Sequence, residues 1–295
     1  MHDPGWRCQD AMLAIAPFNR NDCQALFAVF DGHGPYGRQV AQGSMECLPK
    51  YLAAGICRGG VPQAFRQVKR ACQNLHRKMV SGMVGDCTHS GTTMCAVYLE
   101  GTRLTVANVG DSGCCRIRRL CAPSIHTEGR EGECTETDSG RGRGGGNDGG
   151  RSSHSQQVVA ERLTRDHKPH QKKELARIQA SGGVVSPLPT NRSETERVRN
   201  LVEEGNEGGG NPTHSQDGTF HVPRVWLRSG EGPGLAMSRS IGDKVAHSVG
   251  VTHEPELTEL ELCGTTDLML VLASDGVWDV LNLEDVRKVP SLPSC

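Results

Sequence analysis

No two of the thirteen cysteines are spaced as C-x-x-C, so the usual zinc-ribbon and thioredoxin-type patterns are excluded. The cysteine count is odd, and the opening Met1-His2-Asp3-Pro4 has no charged-then-apolar pattern. Free thiols in a reducing compartment, cytosol or nucleus, are therefore expected over disulfides. His2 stands where myristoylation requires glycine. Apolar runs such as residues 268–273 are far too short to span a bilayer. Neither sign of charge is in excess: 33 Lys+Arg against 34 Asp+Glu leave a net charge of -1, so no overall field draws the chain to nucleic acid or an anionic membrane. There are no internal repeats, and a monomer is expected.

Hydrophobic residues make up 36% of the chain, a low share for 295 residues, but the deficit is uneven. Residues 121–156 and 187–220 are polar and Gly-rich, and the remainder is ordinary globular sequence. A single domain over residues 1–295 is expected, with these two segments as insertions. The first, with Arg141-Gly142-Arg143-Gly144-Gly145-Gly146, has the composition of a disordered segment. An arginine-glycine RNA-binding reading fails on charge. Arg130, Arg141, Arg143 and Arg151 are outnumbered by Glu128, Glu131, Glu133, Glu136, Asp138 and Asp148, whereas counter-ion release needs clustered positive charge.

Three stretches run apolar and extended, then stop on an aspartate beside a glycine. They are residues 26–30 into Asp31-Gly32-His33-Gly34, residues 104–109 into Gly110-Asp111, and residues 268–273 into Ser274-Asp275-Gly276. Such runs read as buried strands, and a carboxylate at the end of one is held rigidly while the glycine permits close approach. Several such ends meeting in one cleft would form an all-oxygen pocket of the kind Mg²⁺ and Mn²⁺ prefer. Taken singly, Asp31 or Asp275 could simply begin a turn.

Helical periodicity appears in Phe65, Val68, Cys72, Leu75 and Met79, with basic and polar residues between. A second helix is expected after Pro35, carrying Val40, Met45 and Leu48 and ending before Pro49. Residues 172–180 predict a short helix with Leu175 and Ile178 inward and Gly182-Gly183 as its stop. Residues 92–98 and 104–109, separated by Gly101, predict two strands and a tight turn. Asn282 is placed to cap a helix over Leu283 to Val286, before Pro290 and Pro293.

Six motifs follow in order: Phe30-Asp31-Gly32-His33-Gly34-Pro35, Ser90-Gly91-Thr92-Thr93, Val109-Gly110-Asp111-Ser112, the Leu163 to Pro169 stretch LTRDHKP, the Gly234 to Asp243 stretch GLAMSRSIGD, and Ala273-Ser274-Asp275-Gly276-Val277-Trp278-Asp279. Any one of them is weak alone. Together, across residues 5–286, they resemble the metal-dependent protein phosphatases of the type 2C family, which remove phosphate from Ser and Thr. The Cys8-Gln9-Asp10-Ala11 opening and Pro223-Arg224-Val225-Trp226-Leu227 resemble a eukaryotic subgroup well represented in plants.

The resemblance implies an α+β fold, a four-layer αββα sandwich of two antiparallel sheets flanked by helices. It implies two Mn²⁺ or Mg²⁺ ions with a weaker third, and phosphoprotein substrates. Asp31 would bridge the two ions, joined by the Gly32 carbonyl on the second; Asp275 would bind the first, and Asp10 would hold the second through water. Asp111 and Asp279 would serve the third ion, with Asp275 shared. The chemistry suits the residues, because a phosphate monoester is already anionic and needs charge neutralisation together with an activated water. His33 is expected to protonate the departing alkoxide, the alternative being a histidine bonded within its turn. Arg7 is the candidate phosphate clamp, although it lies nearer the Gln9-Asp10 pair than the family pattern has it. His167 is expected to be structural, and Asp243 to fasten a loop rather than bind metal.

The family pattern also carries a further aspartate, usually followed by Asn, beyond the Asp275 motif, and no such pair follows Asp279. A C-terminally shortened sandwich with one weakened metal site is the resulting expectation. It opens two alternatives to an active phosphatase. One is a catalytically impaired relative that binds phosphoproteins or regulates a partner. The other is a two-metal phosphohydrolase acting on small molecules, against which the Gly234 to Arg239 motif argues.

Overall fold

The structure is a computed structural model of the chain, and it describes residues 8–59, 64–81, 86–120, 157–187, 213–214, 220–230 and 232–288. Arg7, residues 121–156 and most of residues 187–220 lie outside the described residues. So do Pro290 and Pro293.

The larger sheet has five antiparallel strands in the order β1 (Ala11–Ile15), β2 (Gln24–Phe30), β5 (Met94–Glu100), β6 (Arg103–Val109) and β15 (Glu256–Glu261). A second sheet runs β16 (Asp267–Ala273), β7 (Gly113–Arg119), β8 (Val158–Arg162). Two smaller sheets complete the arrangement around the site. One is β14 (Ile241–Gly242), β4 (Gly91–Thr92), β3 (Gly32–His33); the other is β13 (Pro233–Leu235), β12 (Arg224–Trp226), β9 (Val184–Ser186). A short hairpin pairs β10 (Thr213–His214) with β11 (Phe220–His221). β5 and β6 are joined by the expected tight turn, with Glu100 opposite Arg103 and Gly101 at φ +59°.

Side-chain alternation along these strands separates two cores. Leu26, Ala28 and Phe30 of β2, Met94, Ala96 and Tyr98 of β5, and Ala107 and Val109 of β6 face a helical layer. That layer is α1 (Gly37–Gly59) and α2 (Ala64–Val80), which contribute Val40, Leu48, Leu52, Cys72, Leu75 and Met79. The opposite faces of the same strands, with Phe27, Cys95, Val97, Leu104 and Val106, meet Cys114, Leu270 and Leu272 of the second sheet. Beyond it, Cys115, Ile117, Met269 and Val271 pack under Leu283 and Val286 of a helix over Leu283–Arg287. The layer order is helix, sheet, sheet, helix, as expected. Each fully buried Leu or Phe in these cores contributes roughly 1.5–3 kcal/mol of transfer free energy.

One element departs from expectation. α1 does not stop before Pro49 but continues through it to Gly59. A proline inside a helix removes one backbone hydrogen bond. Leu48 and Leu52, one on either side of it in sequence, are each only 1% exposed, so burial of that shared face against α2 and β2 outweighs the lost bond. The other local readings hold. α3 spans Lys172–Ala180 with Leu175 and Ile178 buried, and Asn282 Oδ1 accepts from Asp285 N at 3.0 Å as the cap of the last helix.

α3 belongs to a separate apolar cluster, in which Leu175 and Ile178 pack with Val185, Val225, Leu235, Met237, Ala246, Val249 and Val251. Its polar counterpart is Glu174, 3% exposed. The Glu174 carboxylate accepts from Arg239 Nη2 at 2.7 Å, Arg177 Nη2 at 2.6 Å and Ser238 Oγ at 2.6 Å. This network fastens the Gly234 to Asp243 motif to α3.

Candidate metal centre

The carboxylates gather where strands of both sheets end. Asp31 follows Phe30, the last residue of β2, and its backbone is fixed from three directions. Its N–H donates to Thr93 Oγ1 at 3.0 Å, and its carbonyl accepts from Thr93 N at 2.9 Å and Thr92 Oγ1 at 3.0 Å. Thr93 Oγ1 in turn meets Ser112 Oγ at 2.6 Å, so the Ser90 to Thr93 and Val109 to Ser112 motifs act together to hold one aspartate. Gly32 is buried, and a Cβ there would lie 2.4 Å from the Gly37 carbonyl oxygen. Only glycine lets the chain pass at that point.

Asp275 begins a one-turn helix, Asp275–Trp278, just past the end of β16. Trp278 pins that turn: its Nε1 donates to Ala273 O at 2.8 Å and to Gly113 O at 3.2 Å. The Arg162 guanidinium lies 4.5 Å from the Trp278 ring centroid, a favourable cation–π placement. The Asp31 and Asp275 carboxyls lie close enough that each acts on the other's protonation. Ser274 Oγ donates to Asp10 Oδ2 at 3.2 Å, which ties the start of β1 to the same place. Asp111 is 2% exposed. One of its oxygens takes Lys168 Nζ at 2.5 Å, while Oδ1 is buried without a partner among the described residues. Asp279 is exposed at the end of the one-turn helix, its N–H on Asp275 O at 2.8 Å.

The electrostatics follow from this crowding. Burial, then the charges of Asp275, Asp10 and Asp111, push the Asp31 carboxyl up to about 8. Burial, then Asp111 and Asp279, also raise Asp275. At Lys168 burial opposes the ammonium, but Asp111, Asp166 and Asp279 outweigh it and raise its pKa. Like charges brought this close do not stay ionised together without compensation. The donor set is all oxygen, its carboxylates repel, and one buried oxygen is orphaned, so the residues fit hard divalent cations.

His33 stands two residues beyond Asp31, about a quarter exposed, with Nε2 2.6 Å from Asp243 Oδ2. Asp243 is 2% exposed and is delivered by the three-stranded sheet β14–β4–β3, in which Gly242 pairs with Gly91 and Gly91 with His33. A Cβ on Gly91 would fall 2.0 Å from Asp243 Oδ2. The glycine of the Ser90 to Thr93 motif thus makes room for the aspartate of the Gly234 to Asp243 motif. Burial works against a charge on His33, but Asp243 foremost, then Asp31 and Asp111, raise its pKa. Nδ1 is left without a protein partner among the described residues.

Asp10, Asp31, Gly32, His33, Asp111, Asp275 and Asp279 are therefore all at one end of the sandwich. Arg7 lies outside the described residues. His167 is buried, accepting Gly110 N at Nδ1 (3.1 Å) and facing Glu256 through Nε2 (3.2 Å), a structural position. Sequence reasoning gave Lys168 no role, although it sits in a quoted motif. It also missed Asp243 as the partner of His33, because a pairing 210 residues apart has no spacing signal.

The family model for Protein phosphatase 2C matches residues 5–119 and 151–289. Probable protein phosphatase 2C 64 of Oryza sativa subsp. japonica is 33% identical over 291 residues, covering 97% of this chain and 54% of the relative. Probable protein phosphatase 2C 61 of Arabidopsis thaliana is 30% identical over 283 residues, covering 95% of this chain and 68% of the relative. The chain thus spans between about half and two thirds of the length of these relatives. Among solved structures, a serine-threonine phosphatase 2C from Toxoplasma gondii superposes with a TM-score of 0.63 at 18% identity, covering 96% of this chain and 78% of that one. A C. elegans sex determining protein gives 0.62 at 20% identity, covering 95% and 51%. At such identities these two structures speak to the fold alone.

Proposed function

This chain belongs to the protein phosphatase 2C family, and from that premise we propose that it hydrolyses phosphoserine and phosphothreonine esters of proteins. The observation that carries the reading is the meeting of Asp31 and Asp275 at the ends of strands from both sheets, with Asp111 beside both and Asp10 beside Asp31. Two Mg²⁺ or Mn²⁺ ions held by Asp31, the Gly32 carbonyl, Asp275 and Asp10 would supply charge neutralisation for the phosphoryl oxygens and acidify water. Asp111 and Asp279, with Asp275 shared, would hold a third ion more weakly, since Lys168 already engages one Asp111 oxygen.

The chain's own residues carry the rest. Asp243 orients the His33 ring through Nε2 and favours its protonated form. That leaves Nδ1 as the nitrogen able to give a proton to the departing Ser or Thr alkoxide. Arg7 would grip the phosphate bidentately. The chain acts as one domain over residues 1–295 and as a monomer in the cytosol or nucleus. Residues 121–156 are an insertion, and residues 187–220 are a second one beside the site that tunes substrate choice. Deleting the second insertion and comparing several phosphopeptides tests that role; unchanged selectivity would refute it. Among the described residues no helix is long and apolar enough to cross a membrane.

The test of the activity is phosphate release from a phosphothreonine peptide and from p-nitrophenyl phosphate as Mn²⁺ is titrated. Release that depends on Mn²⁺ and disappears in Asp31→Ala supports the proposal. No release at saturating Mn²⁺, or equal release by the variant, would overturn it. A phosphopeptide that binds without turnover would favour a binding module instead.

A further inference from the structure

Behind the Gly242–Asp243 strand end, three histidines from separate elements meet. His76 lies in α2, His247 ends the one-turn helix Lys244–His247, and His253 precedes β15. The His76 ring centroid is 4.2 Å from that of His247 and 4.1 Å from that of His253, and the latter two are 5.6 Å apart. The last distance is too short for a linear stack, so the rings form a triangle. One nitrogen from each lies within 4.8 Å of the other two. All three residues are half-buried.

We propose that His76, His247 and His253 form a binding site for a zinc-class transition-metal ion, distinct from the oxygen-rich centre. Imidazole-only sites select Zn²⁺, Co²⁺, Ni²⁺ or Cu²⁺ over Mg²⁺ and Mn²⁺. Zinc–nitrogen bonds of about 2.0–2.1 Å in tetrahedral geometry set nitrogens roughly 3.4 Å apart. The ring planes here are 11–29° from parallel, so rotation of the rings about their side-chain bonds is what would bring the three lone pairs onto one ion and leave a fourth position for water. The surroundings prepare two of the ligands. His247 Nε2 donates to Ser240 O at 3.1 Å, which turns the Nδ1 lone pair outward for coordination. His253 Nδ1 is buried without a partner among the described residues, a cost that ligation would remove. The third contact is weak: His76 Nδ1 accepts Gly242 N at a long 3.4 Å, and binding through Nε2 moves the ring proton to Nδ1, so that the ring must turn away from the Gly242 N–H.

The protonation state agrees with this geometry. Burial, then the neighbouring imidazoles, lowers His76 to about 3, and burial foremost lowers His247 to about 4 and also lowers His253. The rings are therefore neutral at physiological pH, which is the ligating form. An ion here would cross-link α2, the segment that follows Asp243, and the approach to β15. Gly242 and Asp243 are the strand end that reaches His33, so the site sits behind the loop of the candidate general acid.

The test uses the full chain in excess Mg²⁺, titrated with Co²⁺ while ligand-field absorption is followed. The expected result is one equivalent with the intense visible bands of a tetrahedral nitrogen site, displaced by Zn²⁺. His253→Gln and His247→Gln should each weaken binding by more than about 100-fold, since losing a ligand exceeds what loss of an outer partner costs. Circular dichroism and thermal melts establish that each variant is folded. Asp31→Asn should leave the bands in place. The proposal is overturned if the folded wild type gives no such bands, if both histidine variants bind unchanged, or if Asp31→Asn abolishes the signal.

Discussion

Two shielded acids in this molecule, one buried and one half-buried, have opposite surroundings. Glu174, on α3, is met by Arg239, Arg177 and Ser238, which hold its carboxyl far below the usual range although burial opposes this. Asp31, at the end of β2, is met by Asp275, Asp10 and Asp111, which with burial raise it to about 8. A buried charge is tolerated only when it is compensated. Glu174 has its cations built into the fold and so reads as structure. Asp31 has more acid for company, so without a cation it stays protonated through neutral pH. That contrast separates the fastening of the loop from the chemistry of the site.

The sharpest way to break the contrast is to delete each acid. Asp31→Ala should reduce phosphate release to background, a loss of at least about 10³-fold, while the metal-free protein melts no lower than wild type because a repulsion has been removed. A melting temperature that falls with activity would mean Asp31 is structural after all. Glu174→Ala should do the reverse by stranding two guanidiniums. The expected destabilisation is about 3 kcal/mol, at the low end of the range because Arg239 and Arg177 keep 16% and 31% of their side-chain exposure. Urea midpoints at fixed m-value measure it. Kinetics of the surviving folded fraction should stay near wild type.

Asp243 tests the middle ground, a buried acid whose partner titrates. Asp243→Asn should lower kcat on a phosphothreonine peptide by about 10²-fold and on p-nitrophenyl phosphate by much less, because p-nitrophenolate departs without a proton. Equal losses on both substrates would reassign Asp243 and His33 to positioning.

The last comparison is in pH. Asp31 has a folded pKa raised above the ordinary 3.8 to about 8. Its contribution to stability is therefore full below about pH 4 and lost as pH rises through about 8. Glu174 is depressed, so its contribution is present above its unfolded value near 4.5 and lost as pH falls towards the folded one. Chelated protein should accordingly lose stability between pH 5 and about 8, and added Mg²⁺ should flatten that slope while releasing a proton. A slope unaffected by Mg²⁺ would disconnect the carboxylates from cation binding.

Much of the frame was legible because it rests on local rules. The strands that end on Asp31, Asp111 and Asp275 announced themselves by apolar runs bounded by glycine, and Asn282 by its place before a helical pattern. Where a rule failed, a tertiary term was larger than the local one. Pro49 should have ended α1, and the shared burial of Leu48 and Leu52 carried the helix past it. The site divides in the same way. The aspartates could be named from their strand ends, but Lys168 against Asp111, and Asp243 against His33, are pairings across 57 and 210 residues. No periodicity encodes contacts at that range. The imidazole triangle is a further case, its members being 171 and 6 residues apart in the chain and brought within ring contact only by packing of α2 on the Ile241 to His253 segment.

By itself, then, the order of residues determined which segments extend, which coil, and which carboxylates stand at rigid strand ends, because those outcomes depend on side-chain period, turn chemistry and burial over a few neighbours. Only the folded arrangement decided which acids face cations and which face one another, and it is that difference in company, set by Coulomb's law over a few ångströms, that turned one buried carboxylate into a fastening and left another, half-buried, among acids that repel it.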